Sequence, residues 1–246
     1  YLICVHLNLV KSLEDLNSWI ILGLNMSRKE NNKGASPQDQ QRNLKLVLVG
    51  DTRSGKTALA QRHTCAKFTN CYVPTSFEKY SSSTEMCGVT MNFEIWDTSG
   101  SSAYDTVRPL AYQDANAFLF CFSVMEPHML ENIVNKWYPE VQNYAPGAPI
   151  VLCGCQADIK NGDVLVTPEE AMVIGRKIGA VTYIESSAKL ADRSVSDAFE
   201  IAALAATGRL SKKQTQKISN QIKSSKTKSS YKTELKIKTK KNCTIM

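Results

Sequence analysis

The stretch Gly50-Asp51-Thr52-Arg53-Ser54-Gly55-Lys56-Thr57, with Ala58 behind it, carries residue types and spacing suited to gripping a polyphosphate. It fits Gly-x-x-x-x-Gly-Lys-Thr after a short apolar strand, the pattern of a phosphate-binding loop that opens a helix. Gly50 and Gly55 let the backbone curl until successive N–H groups point inward at one phosphate. Lys56 adds a positive charge and the helix N-terminus adds its dipole. Thr57 brings a hydroxyl where a Mg²⁺ bridging two phosphates needs a ligand. Forty residues after Thr57, Trp96-Asp97-Thr98-Ser99-Gly100 ends an apolar strand in an acid. Asp97 there can hold the same ion from the other side, and Gly100 can offer its N–H to a terminal phosphate. The plain alternatives are a Gly-rich loop ahead of an apolar helix and an Asx-turn closing a strand. The full spacing weighs against the first, and the loop upstream against the second.

Those residues need a scaffold, and the hydrophobic pattern supplies one. Ala117 to Ser123 is a continuous apolar run, expected of a strand covered on both faces; Ile150 to Cys155 reads as another buried strand, and Leu44 to Val49 as a short apolar strand. Tyr80 to Met86 and Thr90 to Trp96 flank Cys87-Gly88 and read as a hairpin. Tyr183 to Glu185 is a short last strand. Helices are expected from Lys56 to about Cys65, from Met129 to Tyr138 ending near Pro139, and from Pro168 to about Ile178 behind a Thr167/Glu170 capping box. Another runs from Val195 to Thr207 ahead of Gly208. Phe68 to Thr75, with Pro74, reads as an irregular surface segment. Strands alternating with helices over 44–208 predict one three-layer α/β domain. Its mostly parallel six-stranded sheet is flanked by about five helices, with the ligand over the carboxyl ends of the strands.

Charge is unevenly placed. Residues 209–246 carry 12 Lys and Arg against one acid, Glu234, so 18 basic and 22 acidic residues precede them. The net charge of +7 therefore belongs to a tail, and no nucleic-acid-binding face follows from it. The eight cysteines lack zinc-finger spacing, and reduced intracellular thiols are expected. Residues 1–25 are apolar but broken by Lys11, Glu14 and Asp15, too short and too charged for a membrane span. They are read as a non-native or disordered extension ahead of a start at Met26. Residues 26–43 are read as a polar disordered arm and 209–246 as a disordered basic tail. The tail ends in Cys243-Thr244-Ile245-Met246, a prenylation box whose final Met favours farnesyl. Neighbouring lysines add attraction to anionic inner-leaflet lipids. The expected location is the cytoplasmic face of the plasma membrane, with a cytosolic pool.

The sequence resembles Ras-superfamily small GTP-binding proteins of the Rho family, specifically the Rnd branch, over 44–208 and the last four residues. Tyr72-Val73-Pro74-Thr75-Ser76-Phe77-Glu78-Lys79-Tyr80 resembles Rho switch I, which implies that Thr75 joins Thr57 and Asp97 around Mg²⁺. Trp96 to Ser101 and Val107-Arg108-Pro109-Leu110-Ala111-Tyr112 resemble switch II with the Rnd-type Ser-Gly-Ser. Phe68 falls where the family stacks an aromatic on the base. Asp158 falls where it reads guanine, with Ser187, Ala188 and Lys189 closing over the ring. The resemblance implies a P-loop NTPase fold binding GTP and Mg²⁺, a monomer, and partners such as plexin, Rho-directed GTPase-activating proteins or Rho kinase.

Departures from the family pattern carry the mechanism. Ser99 and Ser101 stand where hydrolysing relatives keep Ala and the Gln that orients the attacking water, and Thr52 stands where they keep Gly. The implied state is constitutively GTP-bound, with hydrolysis very slow or absent. The guanine motif reads Cys155-Gln156-Ala157-Asp158, so Gln156 replaces a Lys whose stem packs over the base; guanine preference is expected to survive with lower affinity. Only nine residues separate Asp158 from Pro168, too few for the short extra helix of Rho relatives. A cycling GTPase and a nucleotide-free interaction scaffold stay open as alternatives.

Overall fold

The computed structural model describes residues 41–69, 71–86, 88–158, 166–190 and 192–210. The expectations for the N-terminal extension and arm, for the shortened segment after Asp158 and for the tail with Cys243 lie mostly or wholly outside these residues.

Among the described residues, six strands form one sheet in the order β2-β3-β1-β4-β5-β6. They are β1 (Gln41–Val49), β2 (Phe77–Met86), β3 (Val89–Thr98), β4 (Ala117–Ser123), β5 (Ile150–Cys155) and β6 (Thr182–Glu185). β2 pairs antiparallel with β3, and every other pairing is parallel. β1 lies between β3 and β4, so the chain winds first to one side of it and then to the other. The loop leaving β1 opens into the crevice at that reversal, where such sheets bind ligands. β4 and β5 are buried along their whole length, as their unbroken apolar sequence requires. β2 is a polar edge strand carrying Ser81, Ser82 and Ser83, which discourages pairing with another chain.

The helices are α1 (Lys56–Cys65), α2 (Pro127–Asn132), α3 (Tyr138–Tyr144), α4 (Pro168–Lys177) and α5 (Ser194–Ala206). Val47, Val49, Phe118, Phe120 and Leu152 share one core with Leu130, Ile133, Trp137, Val141 and Ala171, which places α2, α3 and α4 on one face. Alternate strand residues point the other way, toward α1 and α5, where His63 stacks on Phe199 at 4.1 Å. The two-residue hairpin turn stands as expected, with Met86 opposite Val89 and Gly88 at φ 72°. Thr167 accepts from the Glu170 amide and Glu170 returns a bond to the Thr167 amide, completing the capping box of α4.

Pro139 does not end its helix. A five-residue π segment, Ile133–Trp137, joins α2 to α3, and Pro139 sits in the first turn of α3. Pro lacks an N–H and is tolerated in a first turn; the wider π turn absorbs the register change, with the Tyr138 amide reaching back to Ile133. β1 and β2 each begin three residues before their expected starts, because the polar Gln41–Asn43 and the mixed Phe77–Lys79 also pair with β3.

Candidate functional site

The loop between β1 and α1 curls around the Lys56 ammonium, which donates to the carbonyls of Gly50 (2.8 Å) and Asp51 (2.7 Å) and to Ser54 Oγ (3.2 Å). Lys56 is buried, and desolvation lowers its proton affinity while Asp97 works against that shift. Its hydrogen bonds in this state go to neutral oxygens, so an anion placed before the loop would meet a charge awaiting a partner. Gly55 caps α1 at φ 98°, a conformation that side chains rarely adopt. A Cβ on Gly100 would lie 2.2 Å from the Thr52 nitrogen, so only glycine lets the loop after β3 come this close to the phosphate loop.

Three oxygen-bearing side chains converge beside Lys56. Thr57 Oγ1 donates to Asp97 Oδ2 at 2.6 Å and lies 2.8 Å from Thr75 Oγ1. Asp97 is buried at the end of β3, and its Oδ1 has no hydrogen-bond partner among the described residues. Burial pushes its pKa up to about 6, against the pull of Thr57 and Lys56. A hard divalent cation ligated by oxygen would satisfy the orphaned oxygen and hold the carboxylate ionised. The donor set thus fits Mg²⁺.

A cleft of about 550 Å³ runs from this cluster across the carboxyl ends of β1, β5 and β6. Thr52, Arg53, Gly55, Lys56, Thr57, Ala58, Phe68, Tyr72, Thr75, Gly100, Cys155, Gln156, Asp158, Ala188 and Lys189 all line it. Asp158 is held by Ser187, whose hydroxyl donates to Oδ1 at 2.8 Å, and by Lys189 at 3.6 Å from Oδ2. Gln156 ties the strands to the loop, accepting from Ser123 Oγ (2.7 Å) and donating to the Arg53 carbonyl (3.3 Å). The Arg53 guanidinium lies 5.0 Å over the Tyr72 ring, and Arg62 lies 5.9 Å from Phe68. Cys155 turns into the core, where a Cβ on Gly55 would come 2.8 Å from its own. Asp51 and Ser54 support the loop from behind: the Ser54 amide donates to the Asp51 carbonyl, and the Asp51 carboxylate faces away from the cleft.

The loop after β3 is held from outside the cleft. Ser101 Oγ accepts from the Ala103 amide at 3.3 Å and caps a short 3₁₀ turn, Ser102–Tyr104. The Ser99 hydroxyl accepts from the Ser101 amide, and neither serine lines the cleft. Arg108, almost fully buried, donates to the carbonyls of Ser99 (3.1 Å) and Ser101 (3.2 Å), to both oxygens of Glu140 and to Asp105. Its guanidinium lies 4.5 Å over Trp137. Trp137 Nε1 in turn donates to Asp51 Oδ1 (2.8 Å), beside the Asn132 amide on Oδ2 (2.7 Å). Phosphate loop, π segment and the loop after β3 are therefore one hydrogen-bonded unit.

Sequence reasoning did not find this brace. Asn132 and Trp137 stand five residues apart, a spacing that an α-helix would spread over different faces and that the π turn brings to one carboxylate. Arg108 and Glu140 carry no local pattern; a buried Arg awaiting a distant acid is visible only in three dimensions.

Comparison with known proteins agrees with this geometry. A family model described as Ras family matches residues 45–207. The Rho-related GTP-binding protein RhoE of Homo sapiens is 35% identical over 241 residues, covering 89% of this chain and 98% of that protein. RhoE of Mus musculus matches over the same shares, also at 35% identity.

Proposed function

The chain belongs to the Ras family, on its Rnd-like Rho branch, and we propose that it holds GTP with Mg²⁺ and hydrolyses it very slowly or not at all. The observation that carries this reading is the Ser101 hydroxyl, spent on capping a 3₁₀ turn beside the cleft. A serine there is too short to aim a water at a terminal phosphate, and the oxygen of this one faces the Ala103 amide. Thr52 adds a Cβ on the loop where a water-orienting group and a partner's arginine would pass. Poor positioning costs on the order of 10² or more in rate, and losing an arginine finger about 10³ to 10⁵.

In this reading Thr57, Thr75 and Asp97 would hold Mg²⁺, and the loop amides between Asp51 and Ala58, apart from the Ser54 amide that bonds the Asp51 carbonyl, would face the phosphates together with Lys56. Bound Mg²⁺ neutralises phosphate charge. Gly100 donates its N–H at the terminal phosphate. Phe68 and Tyr72 border the nucleotide, while Asp158, oriented by Ser187, accepts from guanine's ring and amino N–H groups. Ala188 and Lys189 close over the base, and Cys155 and Gln156 brace the floor.

The signalling role extends the same reading. The switch segments, with Val73 and Leu110 strongly exposed, would engage effectors of the Rho pathway such as plexin, Rho-directed GTPase-activating proteins or Rho kinase, and so oppose actomyosin contraction. A farnesyl group on Cys243 with Lys236, Lys238, Lys240 and Lys241 would anchor the chain to anionic lipids, since one prenyl chain alone binds marginally. Single-turnover hydrolysis by the purified chain, with and without a Rho-directed activating protein, tests the reading. Little or no phosphate release is expected in both; release at ordinary activated rates refutes it.

A further inference from the structure

Cys121, Cys153 and Cys155 form, among the described residues, a group whose three sulfurs all lie within 4.8 Å of one another. The backbone imposes this. Cys153 and Cys155 are two apart on β5 and so share a face, and Cys121 on β4 is the cross-strand partner of Cys153 in the parallel register. All three are buried behind the phosphate loop, and none is in a disulfide. Cys153 Sγ lies 3.9 Å from Cys155 Sγ and 3.4 Å from Ser186 Oγ.

We propose that Cys121, Cys153 and Cys155, with the Ser186 hydroxyl or a water from the cleft as fourth ligand, form a binding site for a single Zn²⁺ ion beneath the phosphate loop. The distances suit that ion. Zinc takes four tetrahedral ligands with Zn–S near 2.3 Å and Zn–O near 2.0–2.2 Å, so its sulfurs lie about 3.8 Å apart and a sulfur–oxygen pair about 3.5 Å. The 3.9 Å between the Cys153 and Cys155 sulfurs and the 3.4 Å from Cys153 to Ser186 Oγ match these separations, and the Cys121 sulfur lies within 4.8 Å of both others. Charge favours zinc over a monovalent thiophilic ion. Three thiolates around Zn²⁺ leave a net −1. Around Cu⁺ the same thiolates would leave −2 in the core. Cys155 and Ser186 line the cleft, which gives the ion a route in and a place for the fourth ligand. The three thiol protons leave to solvent as zinc binds, so affinity rises with pH.

The test uses the full chain with Cys4, Cys65, Cys71, Cys87 and Cys243 replaced by Ser, which leaves only the trio. Zn²⁺ is titrated against a chromophoric chelator under reducing conditions, and Co²⁺ serves as a spectroscopic stand-in. One Zn²⁺ per chain is expected, with thiolate-to-cobalt charge transfer and the visible bands of a tetrahedral site. Cys153→Val preserves strand and volume and should weaken zinc by about 100-fold or more, at or beyond the upper end of second-shell losses. Ser186→Ala checks the fourth ligand through the cobalt spectrum without removing a thiol. Far-UV circular dichroism confirms that each variant is folded. No binding at micromolar zinc, zinc retained unchanged in a folded Cys153→Val variant, or preference for Cu⁺ over Zn²⁺ under matched buffering overturns the proposal.

Discussion

Replacing Arg108 with Ala should unfasten the brace that holds the loop after β3. The guanidinium is 1% exposed and its partner Glu140 only 12%. It makes a bidentate pair with Glu140 at 2.9 and 2.6 Å and satisfies the carbonyls of Ser99 and Ser101. Truncation strips a mostly buried carboxylate of its cation, leaving it with the Tyr112 hydroxyl, and deprives two carbonyls of a donor. Breaking such a pair costs about 3–5 kcal/mol. At about 2–4 °C per kcal/mol for a domain of this size, the melting midpoint should fall by about 6–20 °C. Urea titration followed by circular dichroism measures the free energy. Arg108→Lys, which keeps the charge but not the planar fork, should fall between Ala and the parent. The Arg108→Ala/Glu140→Ala cycle should show the two losses to be strongly non-additive. An Arg108→Ala loss below about 1 kcal/mol would refute the reasoning, because it would mean that the pair merely breaks even with solvent.

Asp97, raised to about 6 by burial, carries a proton in the ligand-free fold that the unfolded chain has already released above about 4. Its contribution to stability is therefore present below pH 4 and lost as pH rises through about 6, roughly 3 kcal/mol in all; Asp97→Asn should remove that slope from pH-dependent unfolding. The same protonation removes an ion ligand, so Mg²⁺ affinity measured by calorimetry should drop as pH falls below about 6. His63 runs the other way: burial lowers it to about 4, so its contribution is full above pH 6.5 and lost as pH falls toward 4. His63→Phe should lessen acid sensitivity between those values. Thr167→Ala should cost about 1 kcal/mol, because the α4 capping box loses its acceptor. Gln156→Lys should tighten guanine nucleotide binding roughly tenfold, about the worth of two methylenes laid on the base, as read by nucleotide dissociation rates.

Much of this fold is legible in the chain because its signals are local. Ala117 to Ser123 and Ile150 to Cys155 declare buried parallel strands by lacking any polar alternation, and Thr167-Pro168-Glu169-Glu170 writes a helix start in four residues. The residues of the cleft were legible for the same reason: a loop that must contact phosphate through its backbone constrains sequence and spacing together. What stayed hidden depends on pairing at a distance. Pro139 reads as a stop until the π turn before it is seen, and Asp51 reads as a loop acid until Trp137 and Asn132 are found on its carboxylate. The thiol trio likewise needs the register of β4 against β5, which no single-strand pattern contains.

The most direct test of the central claim is to denature the purified full chain, extract what it carries and separate it by ion-exchange chromatography. The account predicts GTP at close to one equivalent per chain. Recovery of GDP, or of no nucleotide, would contradict it.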